Sequence, residues 1–486
     1  MRAQLIIDCG GRVLTALLIT PDGQILPVSQ EIRNVATRHV SMDVLFDPRV
    51  TEHPDFVWED ALDSLAKARP RDLFLRARRV GVRRPWDGHA SADALRLAPP
   101  LAVLSSPAAL ADRAAAGALP RFSLALIDAL LEPAFAFATD RKLAPGETDA
   151  ILVVPSSTGR TARNGLQKLV RRRGFRRASM VRREIAAALT LLEDSCTECV
   201  VVDATNDDLQ VHRISFGGAS ERTVRTVQSS TLRGMGWTHW VSRVAAATGA
   251  SASASFDRAL VALLTGSPES LPSPLTHAAL HAALDDAWVD VERRSWGGTL
   301  REQYEAIGAG DAPTLFVGEI FALDGVRRVF DGSPAPHDGI GVASKGVAHA
   351  ARWLASDPGR TLVLESGGSL RLDTLRGEAV ELLSPGQMPA PGESCCVERT
   401  FRFAGEQTNG TAFLVHLLWG TDVLPEGNAT LAAVPLDLQQ QAGDELRLTV
   451  HIRRSRSGAL LSGAAEARAG GNAVTAQFTH DLEVRR

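Results

Sequence analysis

The sequence predicts an α/β body built twice, with a cleft between its halves, followed by an all-β sandwich. Two segments point to the duplication: Leu5-Ile6-Ile7-Asp8-Cys9-Gly10-Gly11 and Val200-Val201-Val202-Asp203-Ala204-Thr205-Asn206-Asp207-Asp208. Each carries a buried-strand run into a tight turn, sets an aspartate at the strand end, and continues into a second apolar strand, 13–20 in one case and 209–216 in the other. The sandwich follows from a change of period. Beyond Pro358-Gly359 the apolar residues alternate or fall in short blocks between turns, as at Leu370 and Leu372, at 413–418, at 431–434 and at 446–452.

Glycine at positions 10 and 11 lets backbone N–H groups approach a phosphate, and two aspartates facing each other across a cleft suit Mg²⁺ held through its water shell. Each aspartate, taken alone, also reads as the cap of a turn.

Composition narrows the classes. At 486 residues the chain is long for one domain, and 45% apolar content describes a globular protein of two or more domains. A net charge of −3 gives no general electrostatic case for nucleic acid or a membrane surface. Met1-Arg2-Ala3-Gln4 leads straight into the first strand, without a charged, apolar and small-residue leader, and the chain is expected to be cytoplasmic. The cysteines, Cys9, Cys196, Cys199, Cys395 and Cys396, are odd in number and unsuited to a disulfide framework. Cys196-Thr197-Glu198-Cys199 has C-x-x-C spacing, but no second pair or nearby histidine completes a zinc site.

Along the chain, helical periodicity is expected from Trp58 to Val80 and again over 119–139, ending before Pro145-Gly146. A β-turn-α unit follows: a strand over 149–154, Pro155, the turn Ser156-Ser157-Thr158-Gly159 and a helix over 160–173. A helix over 184–193 feeds the second hairpin. Residues 250–275, rich in Ala, Ser, Gly and Pro, read as a loop or a reduced subdomain. A strand over 314–317 leads into Gly318, and 341–355 reads as a helix. The basic runs Arg171-Arg172-Arg173-Gly174-Phe175-Arg176-Arg177 and Arg453, Arg454, Arg456 read as an exposed helix end and a solvated turn; with one aromatic and an acidic net balance, a nucleic-acid face is not expected.

Laid out in this order, the segments resemble the 70-kDa heat-shock (DnaK-like) chaperone family over nearly the whole chain. Ala150-Ile151-Leu152-Val153-Val154-Pro155 with Arg163 is similar to that family's V-T-V-P-A-Y-F…R segment, and Glu184-Ile185-Ala186-Ala187-Ala188 to its N-E-P-T-A-A-A helix start. Ala77-Arg78-Arg79-Val80-Gly81, Leu315-Phe316-Val317-Gly318 and the run 341–351 resemble further family stretches. Leu362-Val363-Leu364-Glu365 resembles the hydrophobic interdomain linker, Ser369–Leu375 the opening of the peptide-binding domain, and 411–420 and 447–460 its later strands.

The resemblance implies a duplicated actin-like nucleotide-binding domain over 1–357, a linker over 358–368 and a β-sandwich peptide-binding-like domain over 369–486. It implies ATP or ADP with Mg²⁺ between the lobes. Asp8 and Asp203 would hold the metal's waters, Glu184 would position the attacking water, and Gly10, Gly11, Gly236 and Gly318 would admit the nucleotide. Pro155, Arg163 and Leu362 to Glu365 would couple nucleotide state to the sandwich. Leu372, Leu375, Phe413 and Val415 would line a groove for an extended apolar polypeptide, with unfolded clients and a J-type co-chaperone as partners.

Four departures weaken the catalytic part. The first loop, Asp8-Cys9-Gly10-Gly11-Arg12, lacks the hydroxyl of D-L-G-T-T, and Asp63 stands where the family has its lysine. The second loop reads Asp203-Ala204-Thr205-Asn206-Asp207-Asp208 in place of D-L-G-G-G-T, so its glycines are gone and carboxylates are added, and Gly318-Glu319 replaces a double glycine. The adenine-side subdomain is shortened, and the sequence given stops after the sandwich without a helical lid. Hydrolysis is expected to be slow or absent. Two functions follow: a chaperone that binds ATP, or a pseudo-ATPase scaffold that presents the sandwich without nucleotide turnover.

Overall fold

The computed structural model describes residues 2–485 except 12, 29, 33–34, 38–39, 42–44, 47–81, 84–110, 112–122, 157, 159, 194–195, 206–207, 219–220, 253, 266–274, 308–311, 331–338, 366–368, 374–378, 384–387, 390–391, 403–412, 421–428, 437–444, 456–459, 470–471 and 482–483. The expected helix over 58–80, Asp63 and Leu375 lie outside the described residues.

The first sheet runs β10-β9-β1-β2-β3. Strands β1 (Gln4–Asp8) and β2 (Val13–Ile19) form the expected antiparallel hairpin, and β3 (Ile25–Pro27) extends it. Short strands follow: β4 (Gln30–Ile32) pairs with β5 (Val35–Thr37), β6 (Val40–Ser41) edges β2, and β7 (Leu45–Phe46) pairs with β8 (Val82–Arg83). On its other side β1 pairs in parallel with β9 (Asp149–Val154), which pairs in parallel with β10 (Arg177–Arg182). Both faces of β1 are covered, which is why its sequence is continuously apolar. Leu5 and Ile7 pack toward the helices α1 (Ser123–Asp140) and α2 (Arg160–Arg172), while Ile6 faces a second core.

The second sheet repeats this pairing. Strand β11 (Glu198–Ala204) runs antiparallel to β12 (Leu209–Gly217), which is followed by β13 (Glu221–Leu232), and β11 is parallel to β14 (Thr314–Val317). Again alternate residues divide between two cores. Val200 and Val202 pack with helices α4 (Trp237–Ala247), α5 (Ala254–Thr265), α6 (His277–Ala283), α7 (Asp286–Ser295), α8 (Gly298–Ile307) and α9 (Asp324–Phe330). Cys199 and Val201 instead join Ile6, Val153 and the helices α3 (Arg183–Ala188) and α10 (Val342–Ser356). One core therefore contains both sheets and the two helices between them.

The helices α3 and α10 approach closely enough to require glycine. A Cβ on Gly346 would lie 1.9 Å from the Ala186 carbonyl oxygen. That crossing fixes the start of α3, and with it Arg183 and Glu184, against the ends of β1 and β11.

Two expectations need correction. Residues 254–265, within the stretch read as a loop or a reduced subdomain outside the core, form α5, because Phe256, Leu260 and Val261 are buried at helical spacing in the second core. The helix expected over 184–193 is only α3 followed by a 3-10 turn, Leu189–Leu191. Within the stretch expected to be an interdomain linker, residues 361–365 form strand β15 (Thr361–Glu365), docked parallel to β13, with Leu362 and Val363 buried. A final strand, β24 (Val484–Arg485), pairs antiparallel with β15.

Beyond β15 the chain forms two four-stranded sheets that share one core. The first has the order β17-β16-β19-β20, from β16 (Ser369–Asp373), β17 (Ala379–Leu383), β19 (Phe413–Gly420) and β20 (Ala429–Leu436). The second has the order β18-β21-β22-β23, from β18 (Ser394–Arg402), β21 (Glu445–Arg454), β22 (Leu460–Ala469) and β23 (Asn472–Asp481). Burial alternates strictly along the middle of β21: Leu446, Leu448, Val450 and Ile452 face the core. No helix among the described residues is long and apolar enough to cross a membrane.

Candidate functional site

The ends of β1 and β11 bring the two predicted aspartates to the same place, and a third residue joins them there. Arg183, the first residue of α3, donates from Nε to Asp8 Oδ2 at 3.2 Å and from Nη1 to Asp203 Oδ1 at 2.8 Å. Its side chain is 2% exposed, as is that of Asp8, and that of Asp203 is fully enclosed, so this is a buried bridge without solvent screening. Asp8 also holds its own turn, since its Oδ1 accepts from Gly10 N–H at 2.9 Å.

A second contact crosses the same gap. Glu319, from the 3-10 turn Glu319–Ala322 after β14, accepts a hydrogen bond from Val13 N–H through Oε1 at 3.0 Å. A backbone N–H of the first hairpin is thus satisfied by a carboxylate from the second half of the chain. Glycines 10 and 11 are required by these side chains. A Cβ at Gly11 would lie 2.4 Å from Glu319 Oε1 and 3.3 Å from Arg183 Nη2, and one at Gly10 would lie 2.8 Å from Arg183 Cδ and 3.0 Å from Pro155.

Around this cluster, Ser156 Oγ donates to Gln210 Oε1 at 2.7 Å, and Gln210 is the register partner of Asp203. His212 Nε2 lies 3.5 Å from the same hydroxyl.

The electrostatics follow from burial and charge. Burial alone would lower the basicity of Arg183, but Asp203, Asp8 and Glu319 together outweigh it and hold the guanidinium charged. Burial pushes the Asp203 carboxyl up to about 6; Asp8 and Glu319 add to this and Arg183 opposes it. Burial, reinforced by Asp8, drives the Cys9 thiol far above its ordinary range, so it carries no thiolate chemistry. Burial, with Arg182 nearby, lowers His212 to about 3 and keeps the imidazole neutral.

The expected residues divide into two groups. Asp8, Asp203, Gly10, Gly11 and Pro155 converge, and Gly318 sits beside them, with φ +122 and a Cβ position 2.9 Å from the Ala204 carbonyl oxygen. Gly236 caps α4 where Trp237 N–H meets the Thr205 carbonyl at the β11 turn. Glu184 is fully buried in the first turn of α3, one residue beyond Arg183, and consecutive helical residues project in different directions. Arg163 is half-buried on α2. Leu362 to Glu365 lie away from the cluster, since β12 and β13 separate β15 from β11. Leu372 packs into the C-terminal core, and Phe413 and Val415 lie on β19, paired with Leu436 and Val434.

Arg183, directly before Glu184, is the residue that sequence reasoning passed over, and Glu319 stood out only as a departure from the pattern of the family that the sequence resembles.

The donor set does not fit Mg²⁺ and a nucleotide phosphate. A cation already bridges Asp8 and Asp203, and the space that Gly10 and Gly11 leave is filled by Arg183 and a carboxylate. Among the described residues no group of three or more His, Cys, Asp and Glu side chains is arranged to hold a metal ion. Compared with known protein families and with curated proteins, the sequence matches none.

Proposed function

We propose that this chain is a heat-shock-70-like pseudo-ATPase, a duplicated actin-like body that has replaced its nucleotide with its own side chains and serves as a scaffold for a C-terminal β-sandwich. The observation that carries this reading is the Arg183 bridge between Asp8 and Asp203. In it the guanidinium takes the role of the metal, and the Glu319 carboxylate, accepting from Val13 N–H, takes that of a phosphate oxygen. An ATPase needs its lobes to separate and close around a ligand. A buried cluster that spans both halves favours one closed arrangement instead.

The reading is tested by calorimetric titration of ATP and ADP with Mg²⁺ into the full chain, alongside melting curves. No heat of binding and an unchanged Tm are expected. Ligand that bound the native state alone would raise stability by about 2.7 kcal/mol at a hundredfold excess over Kd. A Tm rise that disappears in Asp8→Asn and Asp203→Asn would overturn the proposal and restore the chaperone that binds ATP.

The scaffold reading leaves the sandwich as the part that meets polypeptide. Extended apolar segments would add to its strands through main-chain hydrogen bonds. A fluorescent leucine-rich heptapeptide should bind weakly to the full chain, with affinity unaltered by ATP, and Phe413→Asp or Val415→Asp should abolish the binding.

A further inference from the structure

Helices α7 and α8 flank a concavity of about 690 Å³ that shares no lining residue with the Arg183 bridge. Each helix presents one charged face to it. Asp290, Arg293 and Arg294 stand at i, i+3 and i+4 on α7, and Arg301, Tyr304 and Glu305 repeat that spacing on α8, so each set lies on one side of its helix. The floor is aromatic. The Trp296 and Tyr304 ring centroids lie 5.6 Å apart, and Phe330, at the end of α9, is 5.0 Å from Trp296 and 5.8 Å from Tyr304. Trp296 and Tyr304 are only half-buried, and both line the concavity.

Backbone oxygens, and not carboxylates, hold the three guanidinium groups. Arg293 donates from Nε to the Val329 carbonyl at 3.1 Å and from Nη2 to the Arg328 carbonyl. Arg294 donates from Nε to the Asp290 carbonyl at 3.0 Å, and Arg301 from Nη2 to the Arg293 carbonyl. Among the described residues, none of these arginines, nor the Asp290 or Glu305 carboxylate, is in an ion pair. The rim therefore offers both signs of charge, with the cations in excess.

We propose that this concavity binds a free aromatic amino acid, with its carboxylate on the guanidinium groups, its ammonium on Asp290 and Glu305, and its ring on Trp296 and Tyr304. Arg294 keeps both Nη groups for a ligand, and that end of the planar fork matches a carboxylate with two parallel hydrogen bonds. Aromatic side chains pair with a ligand ring in stacked or edge-to-face contact. A ligand with several negative charges and no cation would meet the two carboxylates without an answer to them. The volume lies within the range of small-molecule sites, about 300–1,000 Å³. Arg294, Arg301, Asp290 and Glu305 are exposed, so water and salt screen them and the affinity is modest.

The probe is L-phenylalanine, titrated calorimetrically into the full chain, where it should bind once per chain. Phenylalaninamide lacks the carboxylate, N-acetylphenylalanine the ammonium and alanine the ring. Each should bind at least about tenfold more weakly, the scale of one hydrogen bond to a charged group. Arg294→Gln and Arg301→Gln should each weaken phenylalanine by a similar factor at unchanged Tm, since both side chains are exposed. Glu305→Gln should weaken phenylalanine and leave N-acetylphenylalanine unaltered; it removes a charge that holds no other part of the chain, and so carries the test if an arginine variant melts early. No heat with phenylalanine, equal binding of any of the three analogues, or undiminished binding in any of the three variants at unchanged Tm would overturn the proposal.

Discussion

Arg183 Nη1 lies 2.8 Å from Asp203 Oδ1, inside a space that neither residue shares with solvent. The same guanidinium reaches Asp8 on the other sheet, so one side chain ties together the ends of two strands that begin separate halves of the chain. Most of what can be tested about this protein follows from that bridge.

Removing the cation should be costly. In Arg183→Met the side chain keeps its length but Asp8 and Asp203 remain buried without their counter-charge, and breaking such a pair costs about 3–5 kcal/mol. Arg183→Lys should fall between, because a single ammonium cannot point at both carboxylates as a planar fork does. Urea denaturation of the three proteins should order them Arg, Lys, Met. A loss below about 1 kcal/mol for Met would mean that the bridge contributes little.

Glu319→Gln keeps an oxygen for Val13 N–H and removes the charge, whereas Glu319→Ala removes both. Hydrogen bonds to charged groups contribute about 1.5–3 kcal/mol, so Ala should lose about that much and Gln less. Equal losses in the two variants would show that the charge, and not the hydrogen bond, holds the first hairpin.

The buried ionisable groups give opposite pH dependences. His212 is neutral when folded and lowered to about 3, so its contribution is present above its ordinary value of 6.5 and is lost as pH falls toward 3. At pH 4.5 that loss is about 2–3 kcal/mol, from roughly 1.4 kcal/mol per pH unit. Asp203, raised to about 6, contributes most below its ordinary 3.8, and that contribution disappears as pH rises through 6. Stability measured at pH 7 and pH 4.5 should therefore change less in His212→Gln than in the unmodified chain, and fall more steeply on acidification in Asp203→Asn. A His212→Gln profile parallel to the parent would show that the histidine does not drive acid sensitivity.

Replacing a helical glycine by alanine usually stabilises a helix, by about 1 kcal/mol. At Gly346 the sign should reverse, because the new methyl would lie 1.9 Å from the Ala186 carbonyl oxygen and would push α10 away from α3. Overpacking of this kind costs about 1–3 kcal/mol, which exceeds the propensity gain. A higher Tm for Gly346→Ala would show that the helices separate at little cost.

A polar side chain in a free linker is harmless, and one in β15 should not be. Leu362 is 8% exposed and belongs to the core between the sheets. Leu362→Asp should destabilise the body by about 2–5 kcal/mol, read as a fall in Tm, instead of merely loosening the join to the C-terminal sheets.

The strands were legible because the evidence for a strand is local. An apolar run that ends in a turn predicted β9 and β14 to the residue, and the aspartates at the ends of two such runs pointed to one meeting place. Burial on both faces of β1 and β11 made those runs continuous, which made them conspicuous. The partner at that meeting place was not legible in the same way. Arg183 carries no local signal of its partners, Glu319 stood out only as a departure from a double glycine, and 362–365 read as a hydrophobic linker; α5 was hidden within a stretch rich in Ala, Ser, Gly and Pro. What these residues do depends on neighbours distant in sequence: Val13 and Glu319 are 306 positions apart, and Arg183 is 175 from Asp8. Period and composition record what a backbone segment buries, and that much the sequence determined by itself. Which charge answers which between the two sheets was decided only when they closed on the same pair of helices, because the attraction acts through space and leaves no spacing in the chain.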